Sequence, residues 1–189
     1  MKVSREQAAL NRERVLDTAA QLFRERGFHG VGVADLMKAA GLTHGAFYGQ
    51  FGSKEDLMAQ ACARAYEELD GHWRAAAERS PEKPLAAMVA SYLSPAHRDA
   101  PGEGCVTAAL GAEAAREGPG VRHAITEGTR AQLEVLAALS PGATAADRRQ
   151  RAVVTLAAMV GAMVLARASD DEALSREMLR AVKAALTTG

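Results

Sequence analysis

Features that mark secreted, membrane-bound or highly charged proteins are scarce in this chain. Cysteine is nearly absent: Cys62 and Cys105 are the two in 189 residues, which excludes a disulfide scaffold and fits a reducing compartment. Aromatic residues make up 4% of the chain and the formal net charge is zero. A zero total argues against a nonspecific polyanion binder, yet it is compatible with a locally basic face on a chain whose remainder is acidic. Long apolar runs are missing as well. The stretch "AVVTLAAMVGAMVLA", from Ala152 to Ala166, falls short of the roughly 18 to 20 residues a membrane span needs, and it reads as a helix buried on all sides. The opening "MKVSREQAALNRERVL" is charged and amphipathic, without the apolar centre of a secretory signal. The expected location is the cytoplasm, with no membrane partner.

What is present favours helices. Hydrophobic residues make up 48% of the chain, alanine foremost, while glycine and proline gather at a few points, so the expected class is all-α. An amphipathic helix is predicted over 8–26, with Val15, Ala19, Leu22 and Phe23 on one face and Gly27 as a left-handed C-cap. Short helices follow over 33–40 and 44–50, the first stopped by Gly41 and the second capped by Thr43. Ser53 and Asp56 form a capping box that opens a long helix to about residue 79.

Two short helices joined through "AAGLT" have the form of a helix-turn-helix, whose second helix enters the DNA major groove. That form explains the composition of "THGAFYGQF". Gly45 and Ala46 let the backbone approach base edges, and Ala46 is suited to a thymine methyl. Thr43 and the helix N-terminus suit phosphate oxygens. His44 and Gln50 carry hydrogen-bonding edges for bases or phosphates, Tyr48 can place its hydroxyl on the backbone, and Lys54 can neutralise a phosphate. Phe47 and Phe51, four apart, are the inward pair expected to fix this helix onto Phe23, Leu36 and Leu57.

At these residues the chain resembles the TetR family of transcriptional regulators. "RERVLDTAAQLFRERGFHGVGVADLMKAAGLTHGAFYGQFGSKEDL" follows that family's order of helix, glycine, short helix, "AAGLT" and "GAFYxxFxSKExL" nearly throughout. The resemblance implies an all-helical chain with a three-helix DNA-binding domain over 1–52 and a larger effector-binding and dimerisation domain over 53–189. It also implies a homodimer built on the last two helices, a double-stranded DNA operator and a small-molecule effector. By position, Thr43, His44, Gly45, Ala46, Tyr48 and Lys54 match the family's DNA-contacting residues. Val31 and Gly32 stand where the family usually carries Thr or Ser, which leaves the backbone amide near Gly32 as the phosphate contact there. Gly49 and Gln50 stand where bulky aromatics are common, shifting base reading toward His44, Ala46 and Gln50.

Beyond residue 79 the pattern predicts helices over 85–93, 105–116, 121–139, 145–168 and 172–186, with "SPAHRDAPGEG" as a loop and Asp170 capping the last helix. Val153, Leu156, Ala157, Val160, Gly161, Val164 and Leu165 form one stripe, and Leu174, Met178, Val182 and Ala185 a matching one, as expected of a four-helix dimer interface. Tyr66, Trp73, Met88, Tyr92, Cys105, Leu110, His123, Met159 and Met163 are large or polarizable residues expected around a central cavity for an apolar, at most weakly charged effector. Cys105, His123 and Glu113 carry no nucleophile-elbow or metal-ligand spacing, so neither an enzyme nor a metal site is expected, and no cofactor is implied. An alternative to a reversible effector is a thiol switch at Cys105, which follows a glycine loop and opens a helix, a setting that lowers a thiol's pKa.

Overall fold

The computed structural model describes residues 4–187, and these fold into nine α-helices and two short 3-10 turns, without strands among the described residues. Ser4 accepts a hydrogen bond from the Gln7 amide at 3.1 Å and opens α1, Arg5–Arg26. Val15, Leu16, Ala19, Ala20 and Phe23 bury one face of α1. Gly27 ends it at φ 78°, ψ 165°. That is an extended left-sided conformation that only glycine adopts freely, not the left-handed helical cap expected.

Helix α2, Val33–Ala39, stops at Gly41, whose φ is 70°. The helix predicted over 44–50 is a 3-10 turn over His44–Ala46 followed by a second turn closed by Gln50 N–H and Phe51 N–H on the Phe47 carbonyl. Gly45 and Gly49 each cost a helix about 1 kcal/mol against alanine, and a seven-residue segment has too few bonds to offset nucleation. Ser53 then caps α3, Lys54–Glu78, by accepting from the Asp56 amide at 3.0 Å. The Asp56 carboxylate accepts from Gly52 N–H rather than from the cap residue, so the expected capping box is half formed.

The rest of the chain comprises α4 Pro84–Tyr92, α5 Pro95–Asp99, a 3-10 turn at Pro101–Glu103, α6 Val106–Ala114, α7 Pro119–Leu139, α8 Ala145–Ala168 and α9 Glu172–Thr187. Helix α5 lies where a loop was expected: Ser94 accepts from the His97 amide and Pro95 occupies the first helical position, which together are a helix start. Asp171, not Asp170, caps α9 by accepting from Ala173 and Leu174 N–H.

Two apolar cores form. The first gathers α1, α2, Phe47 and Phe51, the start of α3 and parts of α6 and α7, so it runs across position 52. The second gathers the end of α3 with α4, α7, α8 and α9. Polar contacts fasten α1 to the larger body. Arg24, buried, donates to the Gly104 carbonyl at 3.0 Å and to Glu68 at 2.7 Å. Glu113 of α6 accepts from the Phe28 amide at 2.8 Å, and His29 pairs with Glu117 at 2.8 Å.

Candidate nucleic-acid interface

The tip between α2 and α3 is built from inside outward. Phe47 and Phe51 are buried in the first core with ring centroids 5.7 Å apart and planes 27° from parallel, and the Arg12 guanidinium covers Phe51 at 4.9 Å. This anchor leaves the other side of the tip in water. Tyr48 is 71% exposed, and its ring meets that of His44 edge-on at 5.7 Å. Thr43, His44, Gly45 and Gly32 are exposed and Ala46 is half-buried. Thr43 is extended at φ −79°, ψ 149° and its hydroxyl caps nothing, so its oxygen is open to an external partner. A three-residue 3-10 turn has almost no aligned dipole, so the helix N-terminus expected to suit phosphate oxygens does not form here.

Two expected contacts sit differently. Lys54 donates to the Val31 carbonyl at 2.9 Å and lies 6.0 Å from the centre of the Phe23 ring, so its ammonium ties α3 to the segment before α2. Gln50 is half-buried, with Oε1 enclosed and unpaired among the described residues. Lys38, exposed in the last turn of α2, is a cation at this edge that motif reading passed over. Its place four residues before the "LTHGAFYG" tip was the available signal.

The residues expected to surround an effector divide between the cores. Tyr66 and Leu110 pack in the first, and Trp73, Met88, Tyr92, Cys105, Met159 and Met163 in the second. Of these, Trp73 and Tyr92 line a cavity of about 230 Å³ together with Leu69, His72 and His97. His123 is exposed and leaves the set, because it lies two residues beyond buried Val121, about 200° around α7. Cys105 is fully buried, His123 faces solvent and Glu113 is taken by the Phe28 amide, so these three do not form a constellation.

Around Cys105 the chemistry is specific. His97 donates from Nδ1 to the Tyr92 carbonyl at 2.7 Å and accepts at Nε2 from Cys105 N–H at 2.9 Å, an arrangement that requires the neutral imidazole. Burial lowers its pKa to about 4. His97 therefore reaches the Cys105 backbone and not the sulfur, while Arg98 turns away to Asp99, Glu172 and Ser175. Arg167, a lone cation late in an apolar helix, donates to the carbonyls of Arg98 and His97, and burial holds its pKa below the usual value. Burial pushes the Cys62 thiol up to about 12, as suits a packing residue.

The last two helices present an open apolar face. Val153, Ala157, Val164 and Leu165 of α8 and Leu174 of α9 are exposed, as is Val154, outside the expected stripe; Gly161 and Met178 are half-buried. Helix α8 is thus buried on one side only. It is long and apolar enough to cross a membrane by composition, with 39% of its most apolar window buried. Leu156 belongs to the second core, and Val160 and Val182 pack against it, because the inward stripe of α9 runs through Ser175, Leu179 and Val182.

An all-helical chain whose short α2 and following turn carry an exposed polar tip on a buried aromatic pair defines a helix-turn-helix protein. Residues 15–61 match the model of bacterial regulatory proteins of the tetR family. The HTH-type transcriptional repressor NemR of Escherichia coli is 30% identical over 128 residues, which are 66% of this chain and 64% of that repressor. The matched region therefore spans less than two thirds of that curated relative. A crystal structure of the reduced form of E. coli NemR is 27% identical, with a TM-score of 0.75 over 94% of this chain and 95% of that one. A TetR-family regulator from Cytophaga hutchinsonii shares the fold at a TM-score of 0.79 and 20% identity over 100% of this chain and 98% of that one. The family matched by residues 15–61, the homologues and the structural neighbours along the chain are all those of TetR-family transcriptional regulators.

Proposed function

We propose that this protein is a cytoplasmic transcriptional repressor that binds a pseudo-palindromic operator as a homodimer and is released by a small apolar effector. The observation that carries the reading is the tip: Thr43, His44, Gly45 and Tyr48 stand in water on a buried Phe47–Phe51 pair, where a folded monomer has no use for them. Thr43 and Tyr48 take phosphates, Gly32 offers its backbone, His44, Ala46 and Gln50 meet base edges, and Lys54 shapes the tip from beneath. The exposed apolar residues of α8 and α9 suit burial against a second copy, since an open face of this kind on a monomer is unusual. Residues 1–52 act as the reading head and 53–189 as the sensing and pairing body. A gel shift with DNA from both sides of the protein's own gene tests this. A retarded complex that resists excess unrelated DNA is expected, and equal competition by unrelated DNA refutes sequence-specific binding.

A second reading replaces the reversible effector with a thiol switch at Cys105. It is favoured by one observation: Cys105 stands at the N-cap of α6, within electrostatic reach of Arg167. That a related repressor has been described in a reduced form agrees with it. Full burial of Cys105 opposes it, because a reagent must first open the second core. Alkylation with operator release, abolished in Cys105→Ser, would support the switch. Continued operator binding after complete modification, verified by mass spectrometry, would exclude it.

A further inference from the structure

Between Gly27 and Ser53 the chain holds a single lysine, Lys38, and no arginine, and its single acidic residue is Asp35. Both stand exposed on α2. Asp35 lies in the first turn and Lys38 in the last, so charge along this helix runs from negative at its start to positive at the end that meets the tip. Leu36, Met37 and Ala40 face inward, and Lys38, about 100° around the helix from Met37, stands in water. Its ammonium has no hydrogen bond or ion pair among the described residues.

The end of α2 fixes where that charge sits. Gly41 takes φ 70°, its amide donates to the Lys38 carbonyl at 3.0 Å, and the Leu42 amide donates to the Met37 carbonyl at 2.8 Å. These bonds make a Schellman closure, which stops the helix and turns the chain directly into exposed Thr43, His44 and Gly45. Lys38 is therefore held one tight turn from the tip. Two cations at the base of the tip are committed to the protein instead: Lys54 donates to the Val31 carbonyl, and Arg12 covers the Phe51 ring and donates to Gln60.

We infer that Lys38 is the electrostatic anchor of the reading head: its ammonium pairs with a backbone phosphate of the operator, once in each half-site, and takes no part in choosing bases. The inference rests on the operator reading above and names the residue that carries its charge. In a helix-turn-helix the first helix crosses the DNA backbone while the second reads base edges, and α2 is that first helix. The hydroxyls of Thr43 and Tyr48 and the amide of Gly32 suit phosphates without carrying charge, so they displace no counterion. A lysine does. Each such contact contributes about −0.9 to the slope of log affinity against log salt, so two copies of Lys38 contribute about −1.8 per dimer. A lysine in a last turn also complements the negative end of the helix dipole, and that role alone would move folding stability and not the salt slope.

The test is fluorescence anisotropy of DNA binding from about 50 to about 200 mM salt with wild type, Lys38→Gln, Lys38→Arg and the uncharged control Tyr48→Phe. The probes are a labelled fragment from beside the protein's own gene that carries the operator, and an unrelated fragment of equal length. Lys38→Gln is expected to lose about 1.8 of slope, so its deficit against wild type shrinks about twelvefold across that range, while the ratio of operator to unrelated binding stays within about twofold. Lys38→Arg should keep the slope, and Tyr48→Phe should weaken binding at an unchanged slope. Lys38 is exposed and unpartnered, so thermal midpoints should stay near wild type, and Lys38→Ala takes the place of Lys38→Gln if that variant does not fold. A slope equal to wild type in the uncharged variant overturns the inference, as does a loss confined to the operator fragment, which would make Lys38 a base reader. In both cases the wild type still tells operator from unrelated DNA and the operator reading stands. A wild type that binds the two fragments alike, or neither, overturns that reading and the inference with it.

Discussion

Changing Gly27 to alanine should cost far more than an exposed loop glycine normally would. At φ 78°, ψ 165° the backbone is in a region that costs an L-residue about 1–3 kcal/mol. A Cβ there would also lie 2.6 Å from Glu113 Oε1, so the carboxylate must move. The same carboxylate accepts from the Phe28 amide at 2.8 Å, and losing a charge-assisted bond of this kind costs about 1.5–3 kcal/mol. Together the Gly27→Ala change should destabilise by roughly 3–5 kcal/mol. Glu113→Ala alone should cost about the bond. In the double variant the bond can be lost only once and the clash has no partner, so the effects should be subadditive by about 1.5 kcal/mol or more. Urea unfolding of the wild type, both single variants and the double variant measures this cycle. Strict additivity would refute the claim that Glu113 is what the Gly27 backbone approaches, and a cost below about 1 kcal/mol for Gly27→Ala would refute the strain argument.

Three further outcomes follow from other parts of the structure. Val164→Asp places a carboxylate in the open α8 face; sedimentation should show folded monomers that bind the operator weakly, and an intact dimer would move the interface elsewhere. Lys54→Met removes the bond to the Val31 carbonyl, so it should lower thermal stability by a few degrees and disturb the tip, while the salt slope of DNA binding changes by less than one; a full unit of slope would restore Lys54 as a phosphate contact. His97, ordinarily near 6.5, is held at about 4 and is neutral in the folded state, so the unfolded chain binds the extra proton first. Its contribution to stability should be complete above about pH 6.5 and be lost progressively as pH falls toward 4, and urea midpoints of His97→Gln should show a flatter profile across that window.

Capping chemistry made most helix limits legible. Ser53 sits where α3 begins, and the predicted 145–168 helix matches Ala145–Ala168. The inward Phe47–Phe51 pair was readable from spacing four in a segment otherwise small and polar. The turn replacing the second short helix was harder to see, because motif order outweighed the two glycines that weaken it. Helix phase was the other obstacle. One residue of rotation turns a side chain by about 100°, enough to send His123 into solvent and to set Val182 of the expected α9 stripe against the second core. The role of Arg167 gave no local signal, because its carbonyl partners come from a segment some 70 residues away in sequence, a distance no local pattern spans.

The most direct measurement is hydroxyl-radical footprinting of DNA flanking the protein's gene, repeated with Tyr48→Ala. A homodimer reading one operator predicts two protected patches related by a pseudo-two-fold axis, centred about 34–36 Å apart, that fade in the variant while its folding is unchanged. Tyr48 is exposed, so the substitution should leave the core intact. Uniform protection along the fragment, or patches that persist unaltered in Tyr48→Ala, would contradict the account.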